Sequence, residues 1–151
     1  MNNHLELNRI IRNQYLNLIN HHSLEELNKV PDDYNNNIIW NIAHSIVTQQ
    51  LLVYKLSNLP MIVHDDMVAM YKKGTKTEKP VTAQEVSNVK TLLFSTMETT
   101  EKDLNTDIFN TYNDFTTSPG YTISSVEEAL AFNNFHEGIH LGYILALKKH
   151  L

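Results

Sequence analysis

Apolar residues recur at intervals of three and four along four stretches of the chain, the spacing that gathers them on one face of an α-helix. Leu7, Ile10, Ile11, Leu18 and Ile19 predict a first helix from about Asn3 to His21, and Leu24 and Leu27 leave open a continuation beyond it. Trp40, Ala43, Val47, Leu51 and Tyr54 predict a second helix from about Ile38 to Ser57, with Asn36 or Asn37 as its N-cap. Thr82, followed three residues later by Glu85, forms a capping box for a third, which continues through Val86, Val89, Leu93, Met97 and Leu104 to about Asn105. Ser124 with Glu127, and Ser125 with Glu128, offer two overlapping boxes for a last helix that runs to about Lys149. Lys148, Lys149 and His150 then place positive charge where it complements the helix dipole.

The stretches between are polar and carry the turn formers. Pro31 and the run from Asp32 to Asn36 make the first connection. The second, Asn58 to Val81, holds Pro60, Gly74 and Pro80, and its apolar Met61, Ile62 and Val63 are expected to pack over the helices. The segment 108–123 is rich in Thr and Asn around Ser118-Pro119-Gly120, which fits irregular chain or one short hairpin. The pattern therefore predicts an all-α fold: one four-helix-bundle domain over residues 1–151, with long connections after helices 2 and 3 and no simple up-down-up-down order.

Composition narrows this further. Only 4 Gly and 4 Pro in 151 residues leave too few turns for a many-stranded β fold. The absence of cysteine removes disulfides, thiolate metal sites and a cysteine nucleophile together, so any metal must be held by His, Asp or Glu. A net charge of −5 argues against nucleic acid as a partner, because phosphate affinity comes mainly from clustered Lys and Arg. Lys72, Lys73, Lys76 and Lys79 are a local exception, read as a solvated loop or as a site for an anionic co-substrate. No apolar run approaches the roughly 20 residues of a membrane span, and the N-terminus lacks the apolar stretch of a secretory signal. The expectation is a soluble, cytoplasmic protein with no membrane partner.

Among the 8 histidines, position matters more than number. His136 and His140 stand four residues apart in the last helix and project from one face, close enough for both imidazoles to reach one divalent ion. A first-row metal generally takes at least three protein ligands, and His44, on the apolar stripe of the second helix, is the candidate for the third. Alone, His44 reads as a hydrogen-bonded core histidine; with the pair, three interior imidazoles on facing helices share one explanation. His4, His21, His22 and His150 lie near helix ends, and His64 beside Asp65 and Asp66 fits a solvated helix start better than a cation site.

His136-Glu137-Gly138-Ile139-His140 matches the HExxH motif, in which Glu is the general base of zinc proteases. The match is weak here: the position of the further histidine in the extended motif is Ala146, and no Asp or Glu follows Glu137. His150 lies about 15 Å along the same helix from His140 and cannot supply the missing ligand. Glu137 is thus either a base, a residue hydrogen-bonded to a metal ligand from outside or, as is commoner for a helical glutamate, an exposed side chain. No Gly-rich phosphate loop and no GxSxG elbow is present, and Ser45 points away from His44 on its helix.

Ile39-Trp40-Asn41-Ile42-Ala43-His44, Leu59-Pro60 and Phe135-His136-Glu137-Gly138-Ile139-His140-Leu141-Gly142-Tyr143-Ile144 together resemble the DinB-like superfamily, in length and helix order over essentially the whole chain. The resemblance implies a four-helix bundle, often a homodimer, with one divalent metal ion, zinc or nickel, held at His44, His136 and His140. It also implies transfer of a low-molecular-weight thiol to a small electrophile or, alternatively, metal-dependent hydrolysis, while many relatives have no assigned reaction. Lacking cysteine, this chain would need an external sulfur, which suits a thiol S-transferase. A metal- or small-ligand-binding module without turnover is the remaining class.

Overall fold

The structure is a computed structural model that describes residues 2–151. Helix α1 spans Asn2–Asn20, α2 Leu24–Asn28, α3 Ile38–Gln50, α4 Asp65–Tyr71, α5 Ala83–Asp103 and α6 Val126–Leu147. The described residues are thus mostly helical, with one two-stranded ribbon, β1 (Phe115–Thr116) and β2 (Thr122–Ile123). None of the helices is long and apolar enough to cross a membrane. The long helices pack α1 on α5 and α6, and α3 on α5 and α6.

Two short helices lie where the hydrophobic pattern predicts connections. α2 is a separate element rather than a continuation of α1, because Ser23 and Glu26 form a capping box that restarts the helix. His21 and His22 turn their Nδ1 atoms onto the carbonyls of Asn17 and Leu18, at 2.7 Å each, and so finish α1. α4 begins after His64 with Asp65 and Asp66 in its first turn, where carboxylates complement the helix dipole. The caps of the other helices are the sequence's own: Asn37 for α3, Thr82 with Glu85 for α5, and Ser125 for α6. At α6 the second half of the box shifts by one residue, since the Glu128 carboxylate accepts from the backbone N–H of Ser124.

The core-facing stripe of α1 keeps Ile11, Leu18 and Ile19 of the one predicted and differs in the rest. Leu7 and Ile10 are 48% and 55% exposed, whereas Leu5, Asn8, Arg12, Tyr15 and Ile19 are buried. The buried residues keep a helical period, but Asn8 and Arg12 interrupt its apolar character and hide it from a hydrophobic pattern. α3 is buried on every side from Ile38 to Val47 and forms the centre of the core. Its last turn widens at Leu51–Lys55, where the Leu56 N–H reaches the Leu51 carbonyl. The Tyr112 hydroxyl and the Asn113 N–H donate to the carbonyls of Leu52 and Leu56, which ties the segment after α5 to this turn.

Val63 is buried, and Met61 and Ile62 pack on the core, as their apolar character requires. The Ile62 N–H also donates to the buried Gln50 side chain at 2.8 Å. The hairpin reading of segment 108–123 holds for its second half: Phe115 pairs with Ile123 and Thr116 with Thr122, and fully buried Ile123 anchors the ribbon. Gly120 closes the turn at φ +91°, a conformation that costs glycine least.

Candidate metal centre

Three helices bring one small volume together. α3 contributes His44, α6 contributes His136 and His140 one turn apart, and α4 approaches through its last residue, Tyr71. Among the described residues, His44, His136 and His140 form the group of three that could hold a metal ion, with their ligand atoms all within 4.8 Å of one another. His136 Nε2 lies 3.3 Å from His44 Nε2 and 3.2 Å from His140 Nε2.

Hydrogen bonds on the far side of two rings decide their tautomers. His44 Nδ1 is 2.6 Å from the Tyr71 carbonyl, which can only accept, so Nδ1 carries the proton and Nε2 is left with its lone pair. His140 Nδ1 is 2.8 Å from Asn41 Oδ1. Asn41 Nδ2 donates to the Asn37 carbonyl at 2.8 Å, which orients the amide so that Oδ1 faces the ring and accepts from it. The His140 Nε2 lone pair therefore also points inward, and the Thr48 hydroxyl stands 3.3 Å from His44 Nε2 as a further donor. His136 Nδ1 is buried without a partner, leaving its tautomer free.

Burial keeps these rings neutral. Desolvation pushes His136 down to about 3, and the neighbouring His140 and His44 add to the shift. Desolvation with His44 beside it pushes His140 down to about 4. Burial lowers His44 too, opposed in part by its bond to the Tyr71 carbonyl. At neutral pH the centre is a set of uncharged imidazoles with at least two inward lone pairs. Such a donor set fits a borderline-soft divalent cation, and the carbonyl and amide behind the rings are the outer partners that orient metal-binding histidines.

The imidazoles open onto a cavity of about 530 Å3. Phe132 and Phe135 of α6, Tyr143 and Phe115 of the ribbon give it aromatic walls, and Lys73 is its one lining residue with a formal charge. Lys73 reaches Ser118 of the ribbon turn, so the segment after α4 meets the β1–β2 turn at the cavity. Trp40 lies flat against His44, with ring centroids 4.7 Å apart and planes 8° from parallel.

Glu137 goes elsewhere: it is not a base at the imidazoles, its hydrogen bonds do not make it an outer partner of their rings, and it is not exposed. Its side chain is fully buried and does not line the cavity. Both carboxylate oxygens are bonded to Arg12, and Oε1 also accepts from Asn133 Nδ2 at 2.8 Å. Neighbours on a helix diverge by about 100°, so the residue beside His136 is carried to a different face. His64 is an exposed helix-start residue, and His4, His21, His22 and His150 do not join the cluster.

Sequence reasoning missed Asn41, the Tyr71 carbonyl, Trp40 and the ribbon's share of the cavity. For Asn41 a signal existed: it is a polar residue three positions before His44, hence on the same side of the helix, within the apolar run Ile38–Ala43. A backbone carbonyl such as that of Tyr71 leaves no trace in side-chain chemistry.

Residues 8–144 match the DinB superfamily. No curated protein matches the chain. A crystal structure of a conserved protein from Enterococcus faecalis is similar in fold, with a TM-score of 0.66 and 12% sequence identity, covering 97% of this chain and 93% of that one.

Proposed function

The chain belongs to the DinB superfamily, and from that premise we propose that it is a metal-dependent enzyme holding one divalent ion, zinc or nickel, through His44, His136 and His140. Its reaction on this reading is transfer of a low-molecular-weight thiol to a small electrophile. The observation that carries the proposal is the convergence of three neutral imidazole nitrogens on the cavity with aromatic walls. The packing of α1, α3, α5 and α6 supports the four-helix-bundle reading, with the site built from side chains on facing helices.

When bound, the ion would supply positive charge and an open position that lowers the pKa of a thiol or water. The chain's own residues do the rest. Asn41 and the Tyr71 carbonyl hold two rings with Nε2 inward, and the Trp40 stack keeps His44 from rotating. Phe115, Phe132, Phe135 and Tyr143 offer apolar surface to an electrophile and exclude water from it. Lys73 is placed to attract an anionic group on either reactant. Without cysteine, no protein thiol competes with the external one. Glu137 lies outside the cavity and serves this reading as a positioning residue for α6.

The test is elemental analysis of protein purified without a metal-affinity tag, followed by thiol consumption with a soft electrophile beside a casein-cleavage control. Metal-dependent thiol loss that disappears in His140→Ala supports the transferase. Hydrolysis of small esters or amides without thiol loss would replace it with a hydrolase. Tight metal binding with no turnover across several thiols and metals would leave a binding module.

A further inference from the structure

Thr48 stands one turn after His44 on α3, half-buried, and lines the cavity above the imidazoles. A serine or threonine within a helix can turn its hydroxyl back onto the carbonyl four residues earlier. Ser45 of the same helix does so, as do Thr91, Thr96 and Thr100 of α5. The Thr48 hydroxyl is instead turned into the centre, 3.3 Å from His44 Nε2. Because His44 Nδ1 carries its proton against the Tyr71 carbonyl, Nε2 can only accept, and the hydroxyl is the donor of this pair.

That nitrogen has one lone pair, which goes either to the hydroxyl or to a metal ion. An ion held by His44 therefore leaves the Thr48 donor without its acceptor, beside the ligand nitrogens and facing the cavity. Other polar groups of the lining are engaged elsewhere. Thr75 donates to the carbonyls of Met70 and Lys72, Thr117 to that of Tyr121, and Asn41 is held between Asn37 and His140. Thr48 is thus a donor at the imidazoles that metal binding itself releases.

We propose that Thr48 is a specificity-determining residue of this site: its hydroxyl donates to the anionic atom of the reactant that takes the ion's open position, the sulfur of a thiolate in the transfer reaction. It favours reactants whose ligating atom keeps a lone pair over neutral ligands whose ligating atom has none left to share. The inference rests on the reading of the three imidazoles as a metal centre, and it assigns a group that recognises the reactant rather than the ion.

Cobalt(II) is the probe, because its visible absorption changes with its ligands. Cobalt-loaded protein is titrated with 2-mercaptoethanol, azide and imidazole, of which the first two can accept from Thr48 when bound and the third cannot. Thr48→Val should weaken 2-mercaptoethanol and azide about tenfold, the worth of one hydrogen bond to a charged acceptor, and leave imidazole within about twofold. Cobalt affinity itself should be unchanged or raised, since the ion no longer displaces a hydrogen bond from His44 Nε2. Thr48→Ser should restore the two anions. If Thr48→Val does not fold, Thr48→Ala carries the same expectations. Equal affinities of wild type and Thr48→Val for all three ligands overturn the proposal and leave the metal centre standing. So does a loss that falls equally on imidazole, because it marks a packing role. Wild-type protein that takes up no cobalt overturns the metal reading, and the proposal with it.

Discussion

Arg12 and Glu137 form a two-pronged ion pair between fully buried side chains, with Nη2 to Oε1 at 2.6 Å and Nε to Oε2 at 2.9 Å. Arg12 also donates to the Leu93 carbonyl, and the backbone carbonyl of Glu137 accepts from the Tyr15 hydroxyl at 2.7 Å. Burial raises the pKa of Tyr15, so this hydroxyl stays protonated and continues to donate. α1, α5 and α6 are thereby joined through one buried polar cluster.

Breaking this pair on one side should be costly. Glu137→Gln leaves the Arg12 guanidinium buried without its counter-charge, and the expected loss of unfolding free energy is about 3–5 kcal/mol. Urea denaturation measures it. In whatever fraction remains folded, metal content should stay closer to wild type than in any histidine variant. An empty site in folded Glu137→Gln would show that the glutamate belongs to the metal centre.

His44→Ala and His140→Ala should lower metal occupancy to similar extents, because each removes one of three inward nitrogens. Metal analysis after dialysis against a weak chelator is the measurement. His64→Ala should leave occupancy unchanged, its side chain being exposed at the start of α4. Equal metal content in wild type and His44→Ala would remove His44 from the site.

Asn41→Ala should weaken metal binding about 10–100-fold, the usual effect of losing an outer partner of a metal-binding histidine. The ring of His140 would lose the acceptor that fixes its Nδ1 proton. Asn41→Asp keeps an acceptor there and should restore most of the affinity. Competition with a chromogenic chelator distinguishes the two.

Acid should destabilise the metal-free protein before it affects ordinary carboxylates. An unfolded imidazole binds a proton near pH 6.5. In the folded chain, His136 is pushed down to about 3 and His140 to about 4. Between those values and 6.5 the unfolded chain holds more protons, so stability is complete above pH 6.5 and declines as pH falls toward 4. The slope is about 1 kcal/mol per pH unit for each imidazole. Thermal unfolding of chelator-treated protein at pH 7.5, 6 and 5 measures it, and His136→Phe should reduce the slope.

The helices and the three histidines were legible because both depend on local periodicity. Apolar spacing and short-range caps such as Thr82 with Glu85 are set within a few residues of chain, and an i, i+4 pair of histidines shares a face in any α-helix. The absence of cysteine likewise excludes thiolate ligands to a metal whatever the fold. Tertiary structure decided the rest. Arg12 is charged and polar by any sequence measure, yet it is buried in α1 because Glu137, 125 residues away, neutralises it there. That pairing also determines which stripe of α1 faces inward, leaving Leu7 and Ile10 at the surface. α4 brings a backbone carbonyl to His44, and the ribbon carries Phe115 to the cavity from a segment without helical pattern. Contacts of this kind join groups far apart in the chain, and their strength comes from excluding water between them, a property no local stretch of sequence possesses.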